Sequence, residues 1–529
     1  MELIGKNFIG QELAAAGRAT FAGYDPRNGE ALKPDYYEAT TEEVDQAVSL
    51  ASEAASALRG LEAADVARFL HAVGEEIVGI GDALIERADR ETGLGVDRLR
   101  GERDRTVNQI KMFADLVSEG SWVDARIDTA LPDRRPLPRP DIRRMLQPIG
   151  PVAVFGASNF PLAFSVAGGD TASAFAARNP VIVKAHPAHP GTSELVAAAI
   201  ARAVKTSGLP EGTFSLLHGR TPAMSLALVN HPKLRAVGFT GSLRAGRALF
   251  DAAAKRPQPI PVYAEMGSVN PVFVLSDTLK ANPDGLADGL FRSVTLGVGQ
   301  FCTCPGLVFG VKSESLDRFQ TKLIENFEKG TPATMLNPAI SKGYAERFEE
   351  LRGLKAVKAY AARKTANAKS TEGQPGVFIV EADAWKKNEP LREEIFGPAT
   401  VVVRCSSDEE LLAAAHLLEG SLTATIHGSP EDLQRNTKLI DALGEKAGRL
   451  IFNGYPTGVE VGYAMHHGGP YPATTDEKFT SVGSTAIYRF ARPVCYQGFP
   501  DAALPVELQN ANPRKIWRTV NGALTRESI

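Results

Sequence analysis

The sequence predicts an α/β protein built on parallel sheets, and three observations carry that expectation. Short apolar runs recur at Val152 to Phe155, Val181 to Lys184, Phe214 to Leu217 and Ala236 to Thr240, with helical stretches such as Thr192 to Thr206 between them. Such alternation implies strands buried on both faces by crossover helices. A second alternating region begins near Val262 to Glu265 and Pro271 to Leu275 and runs to about residue 440. At 529 residues the chain exceeds what one core sustains, so several domains are expected.

The amino-terminal elements read as helices. Thr40-Thr41-Glu42-Glu43 has the form of a capping box, in which a hydroxyl opens a helix and a glutamate reaches back to it. Val44, Ala47, Val48, Ala51, Ala54, Ala55 and Leu58 follow at helical spacing. A second amphipathic stretch covers Ala63 to Ala88 and a third runs from about Arg100 to Val117, so the first 120 residues look like helices packed on something else. Pro132, Pro136, Pro138 and Pro140 exclude helix from residues 121–148, which read as an extended arm in preference to a linker. The last 45 residues, with Tyr488, Phe490, Pro493, Val494 and Tyr496, suggest a returning arm.

Composition narrows the function classes. The chain is 43% hydrophobic and 23% charged, ordinary for a soluble enzyme, and its net charge of -3 gives no reason to expect nucleic acid or an anionic membrane. Four cysteines are too sparse for a disulfide framework, so a reducing compartment is expected. The amino terminus lacks a secretory pattern, and no apolar run approaches the roughly 20 residues of a spanning helix, so a cytoplasmic location follows by elimination.

The chemistry-bearing residues are dispersed. Cys302, in Gln300-Phe301-Cys302-Thr303-Cys304, is a candidate nucleophile. Glu265, in Tyr263-Ala264-Glu265-Met266-Gly267, is a candidate base for its proton, since a free thiol of pKa about 8.5 is a poor nucleophile near neutrality. Asn159 in Ser158-Asn159-Phe160-Pro161 is either a turn former or a donor to a developing oxyanion. Gly241 and Ser242, after an apolar strand and before a helix, suit a tight turn or a phosphate. Lys184 ends a strand where open α/β sheets bind ligands, and is otherwise a solvated lysine. His186 and His189 sit in a proline-broken segment without a third ligand, so no metal is expected. Glu393-Glu394-Ile395-Phe396-Gly397-Pro398 reads alone as a charged loop.

Taken in order, Asn159, Lys184, Gly241-Ser242, Glu265, Cys302 and Glu394-Ile395-Phe396-Gly397-Pro398 resemble the aldehyde dehydrogenase superfamily over essentially the whole chain. The resemblance implies a Rossmann-type cofactor domain over residues 1–120 and 149–255, a catalytic domain over 256–440, a return to the cofactor domain over 441–480, and oligomerisation arms at 121–148 and 481–529. It implies that Cys302 attacks an aldehyde to form a thiohemiacetal, that Asn159 and the Cys302 amide stabilise the oxyanion, and that Glu265 activates the water that hydrolyses the thioester. Lys184 and Glu394 match ribose-binding positions, Phe396 the residue packed beside the nicotinamide ribose, and Ser242 a pyrophosphate contact. A homodimer or homotetramer is implied.

Departures from the pattern sharpen the expectation. Ser268 stands where a glycine is common, and Ser158 where tryptophan is common. Pro187 replaces a glutamate that in many members holds the adenosine ribose, which removes repulsion against a 2′-phosphate that Lys184 or Arg220 would pair with. NADP, or dual use with NAD, is therefore expected. The segment Lys184 to Ser193 and the long tail look like the branch of α-ketoglutaric semialdehyde (2,5-dioxovalerate) dehydrogenases, with a fatty aldehyde dehydrogenase or a coenzyme-A-acylating member as alternatives. Arg105 is a candidate anchor for a substrate carboxylate, and Phe160 and Phe301 are candidate channel residues.

Overall fold

Thr40 caps the first helix, Thr41–Arg59: its hydroxyl accepts from the Glu43 amide at 3.2 Å while the Glu43 carboxylate accepts from the Thr40 amide at 2.8 Å. The computed structural model, which describes residues 2–367 and 370–529, places this helix and its successors against a first sheet. The expected helix over Ala63 to Ala88 is two, Ala63–Gly79 and Asp82–Thr92. They break at Gly81, whose φ of 69° lies in the left-handed region. The fourth helix, Val96–Glu119, begins earlier than its apolar periodicity indicates.

The first sheet runs, edge to edge, Val262–Glu265, Ala236–Thr240, Val152–Phe155, Val181–Lys184, Phe214–Leu217, Asn7–Ile9 and Glu12–Ala14. Its first five strands are parallel, and the last two add antiparallel. These two, with the hairpin Thr20–Tyr24 and Ala31–Tyr37, correct the reading of the first 120 residues as helices alone. Strands of three residues are too short to display a period, and docking on a sheet edge decides them.

The second sheet is Lys358–Ala361, Gly376–Glu381, Ala399–Cys405, Leu307–Val311, Val272–Val274, Ser421–His427 and Ala447–Phe452, parallel except for its first strand. Because Ala447–Phe452 pairs with Ser421–His427, the return expected from residue 441 starts only after that strand. It is made near residue 473, where Met266 N–H donates to the Ala473 carbonyl at 2.8 Å and Thr475 N–H to that of Ala264 at 3.1 Å.

The two arms meet in a five-stranded sheet ordered Ala491–Gln497, Ile142–Pro148, Arg126–Asp128, Arg518–Val520 and Ala523–Thr525. The prolines from 132 to 140 lie in the connection between two of these strands, where no ladder N–H is needed. Arg143 ties the tail down, donating to the Leu508 carbonyl at 2.6 Å, Asn510 Oδ1 at 2.8 Å and Asp141 Oδ1 at 2.8 Å. Among the described residues no helix is long and apolar enough to cross a membrane.

Candidate active site

Glu265 ends the edge strand of the first sheet, and Cys302 lies in the loop before Leu307–Val311 of the second, so the pair faces across the junction. The loop that presents Cys302 is held in unusual backbone. Gly297, Val298 and Gly299 all have positive φ, at 55°, 59° and 67°. For the β-branched Val298 this is a costly conformation, the kind that persists where surrounding contacts over-determine it. Gly299 is required twice over, since a Cβ there would sit 2.1 Å from the Gly397 carbonyl oxygen of the Glu-Ile-Phe-Gly-Pro segment.

Asn270 anchors the same loop. Its amide donates to the carbonyls of Cys302 at 2.8 Å and Cys304 at 3.0 Å. Its oxygen accepts from Ser268 Oγ and Thr423 Oγ1, both at 2.9 Å. The serine that replaces a glycine after Met266-Gly267 thus ties the turn to the nucleophile loop, and it also accepts from the Leu422 amide at 2.9 Å. Neither residue's role was visible in the sequence.

His467 is a third residue that sequence reasoning missed. Its Nε2 lies 3.5 Å from Cys302 Sγ and 3.1 Å from Glu265 Oε1. Ser481 Oγ donates to the other oxygen of Glu265, and Thr480 Oγ1 accepts from the His467 amide at 2.7 Å. The signal available was His466-His467-Gly468-Gly469 just past the last strand of the second sheet, but no spacing relates it to Cys302.

Charge in this group is unevenly shared. Burial opposes ionisation of Glu265, but the His467 ring and hydrogen bonds from His467, Ser481 and Cys302 outweigh it and hold the carboxyl below its ordinary range. Burial first, and then the Glu265 charge, push the Cys302 thiol well up. The resting pair is therefore thiol and carboxylate, so the carboxylate is in the form that can accept a proton while both shifts oppose its transfer until the site changes.

Asn159 Nδ2 donates to the Gln300 carbonyl at 3.0 Å, which fixes the amide beside the nucleophile loop and leaves its second N–H for another acceptor. The helix Val96–Glu119 secures the Asn159 loop from one face, where Arg98, Glu102 and Arg105 follow at spacings of four and three. Arg98 donates to the Asn159 carbonyl at 2.8 Å, and Glu102 accepts from the amides of Leu162 at 2.8 Å and Ala163 at 3.0 Å. Aromatic rings close the space between. Phe160 and Phe301 meet edge to face at 5.4 Å, and Phe160 and Phe164 at 5.3 Å. Arg105 lies 5.7 Å over Phe160 and 5.4 Å over Phe164, while its Nε and Nη2 are buried with no hydrogen-bond partner among the described residues. The candidate substrate residues Arg105, Phe160 and Phe301 are thus one cluster, which Arg98 and Phe164 complete.

A cleft of about 1260 Å³ reaches from Cys302, Glu265 and Asn159 to Arg220 and His186. Gly241, Ser242, Glu394 and Phe396 line it. Ser242 caps the helix Leu243–Ala254, accepting from the Ala245 amide at 3.3 Å, so that helix presents its amino terminus to the cleft. Gly241 is small for packing, because a Cβ would meet the Phe239 ring at 2.7 Å. Glu394 approaches so near Gly267 that a Cβ there would lie 2.6 Å from its Oε2. Burial raises this carboxyl to about 7, against a hydrogen bond from the Ser268 amide. Lys184 does not line the cleft; burial lowers its ammonium to about 8, opposed by Glu38. Arg220 packs 5.9 Å from the Phe21 ring. The cleft's length, its helix terminus and its one raised carboxyl suit a dinucleotide with hydroxylated sugars and phosphates.

His186 and His189 stack at 5.3 Å, both held neutral by burial first and nearby Lys184 among the lesser causes. His189 is spent on Ser193 Oγ at 3.2 Å and the Ala157 carbonyl at 2.9 Å.

Comparison with known proteins agrees with this geometry. The profile of the Aldehyde dehydrogenase family matches residues 13–476. The chain is 50% identical over 525 residues to alpha-ketoglutaric semialdehyde dehydrogenase 2 of Azospirillum brasilense, covering 99% of each. It is 44% identical over 523 residues to alpha-ketoglutaric semialdehyde dehydrogenase of Acinetobacter baylyi, again covering 99% of each. Its fold is similar to the crystal structure of an NADP dependent enzyme of E. coli, with a TM-score of 0.79 and 23% identity over 93% of this chain and 98% of that one.

Proposed function

The chain belongs to the aldehyde dehydrogenase family, and we propose that the aldehyde it oxidises is 2,5-dioxopentanoate, converted to 2-oxoglutarate. As a family member it is an NAD(P)-dependent oxidoreductase acting on aldehydes. One observation carries the substrate reading: Arg105 keeps two buried, unpartnered N–H groups in an aromatic cradle beside Cys302. Glu102 supplies charge nearby but accepts no hydrogen bond from these nitrogens, and buried donors left so are costly; a carboxylate at the far end of a short aldehyde meets them bidentately. The two relatives of 50% and 44% identity, both named for that semialdehyde, support the same reading.

In this reading Glu265 takes the Cys302 proton, and the thiolate adds to the aldehyde carbon. The second N–H of Asn159 and the Cys302 amide donate to the oxyanion so formed, an effect worth roughly 3 to 4 kcal/mol for one donor in acyl-transfer enzymes. The bound dinucleotide supplies the hydride acceptor. Phe160, Phe164 and Phe301 exclude water until the thioester stands on Cys302. Glu265 then activates a water to release the acid, and His467 holds its carboxylate toward the sulfur. Glu394, beside Phe396, would hold the dinucleotide's ribose hydroxyls, and the amino terminus of the helix after Ser242 would hold its phosphates.

NADP is the preferred cofactor. Pro187 offers no carboxylate to repel a 2′-phosphate, and Arg220 and His186 line that end of the cleft. The first sheet with its helices is the cofactor domain and the second sheet the catalytic domain. The protein works in the cytoplasm as a homodimer or homotetramer: Leu450 and Phe452, 44% and 47% exposed on an edge strand of the second sheet, offer a partner an apolar edge. The test is kcat/KM for 2,5-dioxopentanoate against hexanal and decanal, each with both cofactors. A preference for the oxo acid and for NADP is expected. Activity confined to long alkyl aldehydes overturns the substrate, and a strong preference for NAD overturns the cofactor.

A further inference from the structure

We propose that Glu265, Cys302 and His467 form a binding site for a zinc ion, and that its occupancy reversibly shuts the enzyme off. Among the described residues these three are the one group of at least three histidine, cysteine or acidic side chains whose ligand atoms converge, all within 4.8 Å of one another. The donors are a sulfur, an imidazole nitrogen and a carboxylate oxygen, the set that zinc takes in proteins. Two of the three ligand separations already fit, and the third, between Cys302 Sγ and the Glu265 carboxylate, lies within 4.8 Å and closes on the ion by a side-chain rotation. Zinc bonds of about 2.3 Å to sulfur and 2.0–2.1 Å to nitrogen and oxygen, at tetrahedral angles, place sulfur and nitrogen about 3.5 Å apart and nitrogen and oxygen about 3.3 Å apart. The structure has 3.5 Å between Cys302 Sγ and His467 Nε2, and 3.1 Å between His467 Nε2 and Glu265 Oε1.

The site is also held in place before any ion arrives. Ser481 Oγ fixes the far oxygen of Glu265, and Thr480 Oγ1 fixes the His467 backbone. Outer contacts of this kind keep ligands oriented and raise affinity. Binding forms Zn–S, Zn–N and Zn–O bonds and releases the thiol proton to solvent, with no change in oxidation state. One thiolate and one carboxylate then balance the dication, so the buried centre carries no net charge. Cys302 and Glu265 both line the cleft, so an ion held there would face the cleft on its remaining side. Three protein ligands and an open place describe catalytic zinc sites elsewhere. Here the ion occupies the lone pairs of nucleophile and base together, so it blocks the reaction.

The experiment uses the full-length protein freed of metals by chelator. Cobalt(II) is titrated in while near-ultraviolet thiolate-to-cobalt absorption is recorded. In parallel, iodoacetamide alkylation of Cys302 is followed by peptide mass mapping with and without zinc. One cobalt per chain is expected, with the absorption lost in Cys302→Ser and its midpoint raised at least tenfold in His467→Gln and in Glu265→Gln. Saturating zinc is expected to slow alkylation of Cys302 at least tenfold, and chelator to restore it. Absorption retained in Cys302→Ser or with an unmoved midpoint in His467→Gln, or alkylation indifferent to zinc, overturns the proposal. The alkylation arm uses the unaltered protein, so it decides the matter even if a variant misfolds.

Discussion

Arg105 and Glu394 are single residues whose surroundings make them measurable. Among the described residues Arg105 Nε and Nη2 have no acceptor, so in the proposed reaction these donors are free for the substrate, while the ring stacking and the nearby Glu102 charge stay as they are. Hydrogen bonds to charged groups contribute about 1.5–3 kcal/mol, so Arg105→Ala is expected to lower kcat/KM for 2,5-dioxopentanoate about 10- to 100-fold. Hexanal, which has no carboxylate, should react with the variant as before, and parallel kinetics on the two aldehydes checks this. Glu394 reports through pH. Its carboxyl sits at about 7, raised by burial, so it is ionised above that value and protonated below it. Ribose hydroxyls donate best to the ionised form. The cofactor KM should therefore rise as pH falls from 8 to 6 and flatten above 8, and Glu394→Gln should remove that slope.

At the scale of elements, the loop from Gly297 to Cys304 is strained and depends on its neighbours. Asn270 supplies two donors to that loop's carbonyls and itself has φ of 45°. Asn270→Ala leaves both carbonyls unpaired, at about 1–3 kcal/mol each, and places an alanine in left-handed backbone. Single-turnover kinetics should show a rate at least tenfold lower, with cofactor affinity unchanged. A normal rate would mean the loop holds itself.

The same scale explains what could be read in advance. The five parallel strands of the first sheet were legible because burial on both faces leaves unbroken apolar runs, as in Val181–Lys184. Cys302, Glu265 and Asn159 stood out through their short motifs, and the fold brings all three to one cleft. His467 was not, because it sits in irregular chain where no period operates and only three-dimensional proximity gives it meaning. Asn270 was hidden likewise, as an asparagine before a proline that reads as a turn.

The whole molecule is closed by its arms. Arg143, on a strand of the five-stranded sheet, is almost fully buried and spends its guanidinium on Asp141, Asp501, Asn510 and the Leu508 carbonyl. It thereby fixes the last 30 residues, whose Leu508 and Ile516 join the main core. Arg143→Ala is expected to cost about 2–3 kcal/mol in denaturant unfolding, since several charge-assisted bonds and one buried carbonyl lose their partner. Its kcat/KM should match the unaltered protein, because no catalytic contact passes through it.

His467 stands 165 residues beyond Cys302 along the chain. A ribosome therefore delivers the thiol long before the imidazole that will face it, and the segment carrying that imidazole is laid against Glu265 only when residues near 473 dock. Until then Cys302 is an ordinary cysteine, mostly protonated and no better a nucleophile than any other. The order of synthesis therefore brings the imidazole, and the carboxylate it holds, into register with the thiol only after most of the chain has been made.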